Sequence, residues 1–242
     1  AARNSLSEAL IAELTQSIVA LGADRSVRAI VIAANGPAFS AGHDLKELTA
    51  RRHDPDRGRA YFAMLMTACS EMMQTIVRCP KPVIAAVQGI ATAAGCQLVA
   101  SCDLAVAAED ATFATPGVDI GLFCSTPMVA LSRNVPRKQA MHMLMTGEPV
   151  SAARARELGL VNDVVAKGRE RQAAIALAER IAGKSAHTLK IGKEAFYRQA
   201  EMSLAEAYRY AAEVMTENML ARDAEEGINA FIEKRAPTWE DR

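Results

Sequence analysis

The stretch K-P-V-I-A-A-V-Q-G-I-A-T-A-A-G-C-Q-L-V-A-S-C-D-L-A-V-A, residues 81–107, decides the fold. Pro82 ends whatever helix precedes it, and Val83–Val87 is a short apolar run that reads as a buried strand. Gly89 turns the chain. Residues 91–101 are small and apolar and predict a helix, and D-L-A-V-A (103–107) predicts the next strand. A strand, a tight turn, a helix and a second strand make a parallel crossover, because two parallel strands need such a connection between them. Repetition of that unit makes the chain a stacked α/β protein.

The pattern extends in both directions. V-R-A-I-V-I-A-A (27–34) is another β-branched strand, stopped by Asn35-Gly36-Pro37. Before it, Ser5 or Ser7 caps a helix whose Leu10, Ile11, Leu14, Ile18 and Leu21 recur at helical spacing. A polar stretch, 48–58, with Arg51, Arg52, His53, Pro55 and Arg57, predicts a surface loop. A helix follows at about 60–78, with Met64, Met66, Met72 and Met73 on its apolar side. Beyond about residue 125 helices dominate: 137–145, one capped by Ser151 and ending at Gly159, then 168–183, 186–199, 203–220 and 222–234, with one short strand at 161–165. The expected organisation is an α/β core over 1–165 and a helical region over 166–242. The last helices carry Phe196, Leu204, Tyr208, Met215, Leu220, Ile228 and Phe231, which must be covered within the chain or by another subunit. The start, A-A-R-N-S, runs straight into a helix, and the expectation is of a further strand upstream of residue 1.

Lys plus Arg and Asp plus Glu number 28 each, so the net charge is zero. That balance argues against nucleic acid or an anionic membrane as the main partner. The longest apolar stretch, Ile84–Ala100, is interrupted by Gln88, Gly89, Thr92, Gly95 and Gln97 and does not predict a membrane span. The 5 cysteines form no C-x-x-C pair and sit in apolar stretches, as reduced core thiols do. His43, His53, His142 and His187 have no zinc-type spacing, and no metal site is expected.

Two glycine-centred turns carry the chemistry. In A-F-S-A-G-H-D-L-K-E-L (38–48), Gly42 permits a backbone conformation closed to other residues and turns the His43 amide out of any ladder. In Q-G-I-A-T-A-A-G-C-Q-L (88–98), a strand gives way to a helix whose first amides lack internal partners and lie at the positive end of its dipole. Two such amides on neighbouring turns suit an oxyanion; each turn alone reads equally as a close-packing device.

These turns, with F-A-T-P-G-V-D-I-G-L (113–122), T-G-E-P-V-S-A-A-R-A-R-E-L-G-L-V-N-D-V-V (146–165) and E-G-I-N-A-F-I-E-K-R (226–235), resemble the crotonase, or enoyl-CoA hydratase/isomerase, superfamily. The combination is most similar to a divergent subgroup, the enoyl-CoA hydratase domain-containing proteins. The resemblance implies a spiral of stacked ββα units, a C-terminal helical trimerisation region, and homotrimers that often pair into hexamers. It implies an acyl-CoA thioester as substrate or ligand, with no other cofactor. The oxyanion amides would be those of His43 and Ala94. Ser40, Ala41, Gly42, Asp44, Leu45 and Lys46 would line the coenzyme, Lys46 near its phosphates. Ala93, Pro116 and Leu122 would line the acyl part, and Phe231 and Lys234 would reach coenzyme A across a subunit boundary. In this family the residue after the glycine contributes its backbone amide, so His43 is not read as an imidazole base. The implied compartment is the cytoplasm of a bacterium or the matrix of a mitochondrion.

The sequence departs from the hydratases where they carry two acid–base glutamates: Gln97 and Gly117 stand in those places. Neither exchanges a proton near neutrality, and general acid–base catalysis contributes roughly 10²–10⁴-fold. Asp119 would share a face with Gly117 on a strand or extended turn and is the first substitute to consider. Asp103 reads as structural, and Cys124 and Ser125 lie where hydratases have a glycine-rich turn, with no histidine near in sequence to activate the thiol. Two readings remain: an enzyme of this superfamily with little or no hydratase activity, through isomerisation, thioester hydrolysis or decarboxylation, or an acyl-CoA-binding protein without catalysis.

Overall fold

Two four-stranded sheets share the strands between them, and the chain visits each in turn. A computed structural model describes residues 3–242. After helix α1 (Glu8–Ala23), the first unit is β1 (Ile30–Ala33), β2 (Ala38–Ser40), α2 (Leu45–Ala50) and α3 (Arg59–Arg78). The second is β3 (Val83–Val87), β4 (Ile90–Thr92) and α4 (Ala94–Ser101). The third is β5 (Leu104–Ala108), β6 (Thr112–Ala114), a 3₁₀ turn (Pro116–Ile120), α5 (Ser125–Asn134) and α6 (Arg137–Thr146). Then come β7 (Val150–Ser151), α7 (Ala152–Glu157), β8 (Asp163–Val165), α8 (Glu170–Ala182), α9 (Ala186–Gln199), α10 (Leu204–Leu220) and α11 (Arg222–Ile232).

Each turn of the spiral gives one strand to each sheet. β1, β3, β5 and β8 pair in parallel in one sheet; β2, β4 and β6 pair in parallel in the other, closed by antiparallel β7. Parallel strands buried on both faces need apolar runs, and every residue of Val83–Val87 is buried. α4 packs between strands and outer helices and has no exposed residue, so apart from the buried Gln97 and Ser101 it is made of small or apolar residues.

The expected fold class is the observed one, with differences in detail. The predicted helix at 91–101 begins only at Ala94, because 90–92 extend the second sheet. The first part of the predicted loop, residues 48–53, is helical, since Asp44 caps α2 by accepting from Lys46 N at 2.9 Å and a 3₁₀ turn follows it. α1 is capped by Ser7, and its Leu21 is exposed rather than packed. α8 lies on the first sheet, where Ala174 and Ala178 pack against Ile84, Ala86 and Val106. It therefore belongs with the core, although it falls beyond the division expected at residue 165. α9 and α10 have no buried residue, and Phe196, Leu204, Tyr208, Met215, Leu220, Phe231 and Ile232 are exposed.

Two polar clusters tie the helical end to the core. Asp103, at the start of β5, accepts from Lys193 Nζ (2.6 Å), Val83 N (2.7 Å) and Tyr197 Oη (2.9 Å), while Lys193 also donates to the carbonyls of Ile76 and Lys81. At the chain's end, the buried carboxylate of Asp223 accepts from Glu240 N (2.7 Å) and Asp241 N (3.0 Å). Asp241 in turn pairs with Arg28 and accepts from Ala186 N at 2.7 Å, and Trp239 donates to Gly183 O.

Candidate active site

The two glycine-centred turns, whose Gly42 and Gly95 are 53 residues apart in sequence, meet in space. A Cβ built on Gly42 would lie 3.0 Å from Ala93 Cβ, 3.1 Å from Thr92 O and 3.4 Å from Ala94 N. One built on Gly95 would lie 2.3 Å from Ser40 O. Glycine is thus required on both sides of the contact, in addition to the positive φ of 81° at Gly42. The buried Ser40 hydroxyl accepts from Gly42 N at 3.3 Å and holds the first turn shut.

Both candidate donors are free. Leu6 pairs in parallel with His43, its N–H donating to Gly42 O at 2.7 Å, and in that pairing the His43 amide points away from the bridge. Ala94 is the first residue of α4, and the helix begins its ladder only later. Among the described residues no chain acceptor meets either amide. Ala93, between the second strand and this helix, has φ 51° and ψ −118°. An alanine there stores about 1–3 kcal/mol of strain, held by the Ala93 N bond to Ala114 O at 2.9 Å. Strained backbone that aims an unpaired N–H is the mark of a preorganised donor.

His43 contributes less through its side chain. Its Nδ1 lies 3.3 Å from Leu6 O, its Nε2 is buried without a partner, and burial lowers its pKa from the usual imidazole value. Ala41 N donates to Arg3 O, and Asp44 both caps α2 and accepts from Ser5 Oγ. Leu45 and Lys46 project to solvent from the first turn of α2.

The two expected glutamate positions are different environments. Gln97 is 4% exposed, on the second turn of α4, with Oε1 buried and unpartnered. Gly117 is buried under the following turn: its carbonyl accepts from Leu122 N at 2.8 Å, and a Cβ there would lie 2.8 Å from Leu122 O and 2.9 Å from Cys124 Sγ. The sulfur of Cys124 thus fills the space a side chain at 117 would enter. Burial raises the Cys124 pKa, opposed by the Gly117 N–H facing the sulfur. Cys96, near enough to feel a charge on Cys124, is itself pushed up to about 12, mainly by burial.

Asp119 is not brought beside Gly117. Residues 116–120 form a 3₁₀ turn rather than a strand, so residues two apart do not share a face, and the Asp119 carboxylate is exposed against Gly147 at the end of α6. Pro116 stays with the Gly117 turn, and Leu122 is exposed at its far side. Phe231, at the end of α11 and 84% exposed, and Lys234, in the turn that follows, stand apart from the two turns. Thr115, whose Oγ1 is buried without a partner, escaped the sequence reading, and so did the strained backbone of Ala93, which an alanine does not advertise. Among the described residues no group of three or more His, Cys, Asp or Glu is placed to hold a metal, and no helix is long and apolar enough to cross a membrane.

Comparison with known proteins points to one family. The family model described as enoyl-CoA hydratase/isomerase matches residues 1–242. The chain is 48% identical over 237 residues to the enoyl-CoA hydratase domain-containing protein 3, mitochondrial, of Rattus norvegicus, covering 98% of this chain and 77% of that one. Among solved structures it is similar to an enoyl-CoA hydratase of Mycobacterium smegmatis, with TM-score 0.93, 52% identity and coverage of 98% and 91%. It is also similar to the human enoyl coenzyme A hydratase domain-containing protein 3, with TM-score 0.93, 47% identity and coverage of 98% and 92%.

Proposed function

The chain belongs to the enoyl-CoA hydratase/isomerase family, and from that premise we propose that it binds an acyl-CoA thioester with the carbonyl oxygen between the amides of His43 and Ala94. The observation that carries this reading is the close contact of the two turns, each with an N–H that has no acceptor in the chain. Donors fixed before the reaction stabilise charge on the thioester oxygen, whether as an enolate or as a tetrahedral intermediate. Ser40–Lys46 line the coenzyme, Lys46 reaching its phosphates, and Ala93, Pro116 and Leu122 border the acyl group. Coenzyme A arrives as part of the substrate, and no resident cofactor is invoked.

The reaction is one of enolate or acyl chemistry rather than water addition: isomerisation, decarboxylation or thioester hydrolysis. Gln97 cannot act as a base, and Gly117 has no side chain, so the two-carboxylate mechanism is closed. That same loss favours a second reading, in which the chain binds and presents a CoA ester without turning it over. The exposed apolar residues of α9–α11 support a homotrimer or a pair of trimers, in which Phe231 and Lys234 enter a neighbour's coenzyme site. The compartment is the cytoplasm of a bacterium or a mitochondrial matrix, the latter matching relatives named mitochondrial.

Ala94→Pro tests the oxyanion hole, with Ala94→Gly as the control that keeps the N–H. One such donor is worth about 3 kcal/mol, so turnover across a panel of CoA esters falls at least ~10²-fold in Ala94→Pro and much less in Ala94→Gly. For a chain that only binds, the carbonyl stretch of bound butyryl-CoA moves to lower frequency in the parent and not in Ala94→Pro. Equal turnover in all three proteins, or no shift in the parent, refutes the placement.

A further inference from the structure

We propose that the carboxamide of Gln97 receives a carboxylate carried on C2 of the acyl group, so that the chain decarboxylates a malonyl-type CoA thioester. The proposal rests on the acyl-CoA reading above and deepens it by choosing among its reactions and naming the substrate class. The first argument is placement. Gln97 follows Ala94 by three residues in α4, so the two lie on one face of the helix, about 4.5 Å apart along its axis. Helical side chains lean toward the N-terminus, and the Gln97 carboxamide therefore reaches back toward the turn that presents the Ala94 N–H. A carboxyl group on C2 stands a few ångströms from the thioester oxygen, a separation that the helix matches.

The second argument is unmet polar capacity. Gln97 is 4% exposed, and its Oε1 is buried without a partner. Among the described residues only its backbone is engaged: N donates to Ala93 O at 3.0 Å, and O accepts from Ser101 Oγ at 2.8 Å. Thr115 Oγ1, wholly buried, is orphaned as well, and it follows Ala114, whose carbonyl holds Ala93 N. Hydrogen bonds through Ala93 thus join the two segments that bear these orphans. Native interiors rarely leave such atoms unpaired, and an alkyl chain would satisfy neither. A half-turn of the carboxamide puts Nε2 in the place of Oε1, and the Thr115 hydroxyl rotates freely, so both side chains have a donor to offer an anion.

The third argument is which reaction these residues can run. Isomerisation must lift a proton from one carbon and return one to another, and hydrolysis must activate water. Gln97 and Gly117 do neither, Asp119 lies against Gly147, and the His43 ring is turned to Leu6 O. Decarboxylation asks for no base, because its electrons come from the bond that breaks. The bond between C2 and the carboxylate carbon breaks, its pair forms the C1–C2 double bond, and the carbonyl π pair moves onto the thioester oxygen between the His43 and Ala94 amides. Carbon dioxide leaves. The oxygen then returns to a carbonyl as C2 takes one proton from water. A glutamate at 97 would set a like charge against the substrate's carboxylate, whereas a neutral amide holds it without the grip of a cation.

The test uses the full chain, after butyryl-CoA binding is established by calorimetry. With malonyl-CoA the parent should yield acetyl-CoA and carbon dioxide, read by chromatography and by trapping the gas. Succinyl-CoA, whose carboxylate is on C3 and whose loss leaves no enolate, should stay intact. Gln97→Met keeps the shape without the amide and should slow carbon dioxide release at least ~10-fold. Gln97→Glu, assayed at about pH 8 so that its carboxyl is charged, should slow it at least ~10²-fold. Both variants should bind butyryl-CoA within about threefold of the parent, which shows that they fold, since a volume-conserving change disturbs the packing little. Malonyl-CoA left intact, or cleaved to malonate and free coenzyme A, with butyryl-CoA still bound, overturns the proposal and leaves the acyl-CoA reading standing. Carbon dioxide release at the parental rate in both variants overturns the role of Gln97. No butyryl-CoA binding by the parent overturns the acyl-CoA reading and this one with it.

Discussion

Gly95→Ala should separate the two turns and with them the proposed oxyanion hole. The new Cβ would lie 2.3 Å from Ser40 O and 2.8 Å from Ser40 Cβ. Carbon–oxygen contacts are normally seen at about 3.3 Å or more, so the first is short by about 1 Å. Neither side yields cheaply: the oxygen is backbone, and α4 is buried along its whole length. The strand and the helix must therefore move apart by about that amount. Overpacking of this kind costs about 1–3 kcal/mol of folding stability. A displacement near 1 Å at a positioned donor costs about 10²-fold in rate. The control is Gly192→Ala, on exposed α9, where nothing lies within 4 Å of the new methyl and helix propensity predicts a gain of up to ~1 kcal/mol. Urea unfolding measures the first effect, and calorimetric titration with butyryl-CoA, beside turnover of any active ester, measures the second. A Gly95→Ala protein with parental stability and parental thioester affinity would refute the argument that contact between the turns builds the site.

Restoring the hydratase carboxylates should fail: Gln97→Glu with Gly117→Glu should hydrate crotonyl-CoA no faster than the parent, since a Cβ at 117 meets backbone at 2.8 Å. Hydration assays on the double variant check this, and a gain above ~10-fold shows that the 122–124 turn gives way. Asp103→Ala should cost about 3–5 kcal/mol in urea unfolding, because it strands Lys193 in a site where both side chains are at most 15% exposed. Glu201→Ala, which breaks a solvated pair with Arg133, should cost under ~1 kcal/mol, and equal costs would contradict the distinction. Burial lowers the His43 pKa below its unfolded value, so the unfolded chain binds the extra proton first as pH falls. The stability due to neutral His43 is full above the unfolded value of 6.5 and is lost as pH falls through the lower folded value. Thermal melts across that window should show a pH slope in the parent that His43→Gln reduces, and parallel slopes would remove His43 from the account.

The first sheet was legible because its strands are apolar runs long enough to show a pattern: the expected strands at 27–34, 83–87 and 103–107 all coincide with observed ones to within a few residues. The second sheet was not, since Ala38–Ser40, Ile90–Thr92 and Thr112–Ala114 are three residues each, too short for any alternation to declare itself. It entered only through the resemblance, which implied paired strands in each unit. The two turns were readable from Gly42 and Gly95, but their contact was not, because it joins segments far apart in the sequence. Asp119 misled for a local reason: its usefulness assumed an extended chain, and Pro116 begins a 3₁₀ turn instead. The packing of Cys124 against position 117 was not legible for a non-local reason, since nothing within its own segment reveals that Gly117 leaves space for its sulfur.

The C-terminal residues act as a clasp, which bears on how the protein is handled. Asp223 N donates to Arg242 O at 3.0 Å, so the last residue described is already held by the start of α11. Chain that continues beyond Arg242 begins from a bonded carbonyl and must leave along a path that spares Asp241. Trimming back to Trp239 removes the acid shared by Arg28 and Ala186, and leaves the buried Asp223 carboxylate without either of its tail donors. Without Glu240 and Asp241, α9, α11 and the segment before β1 lose the polar bonds that fasten them to one another, while the two sheets keep every strand pair.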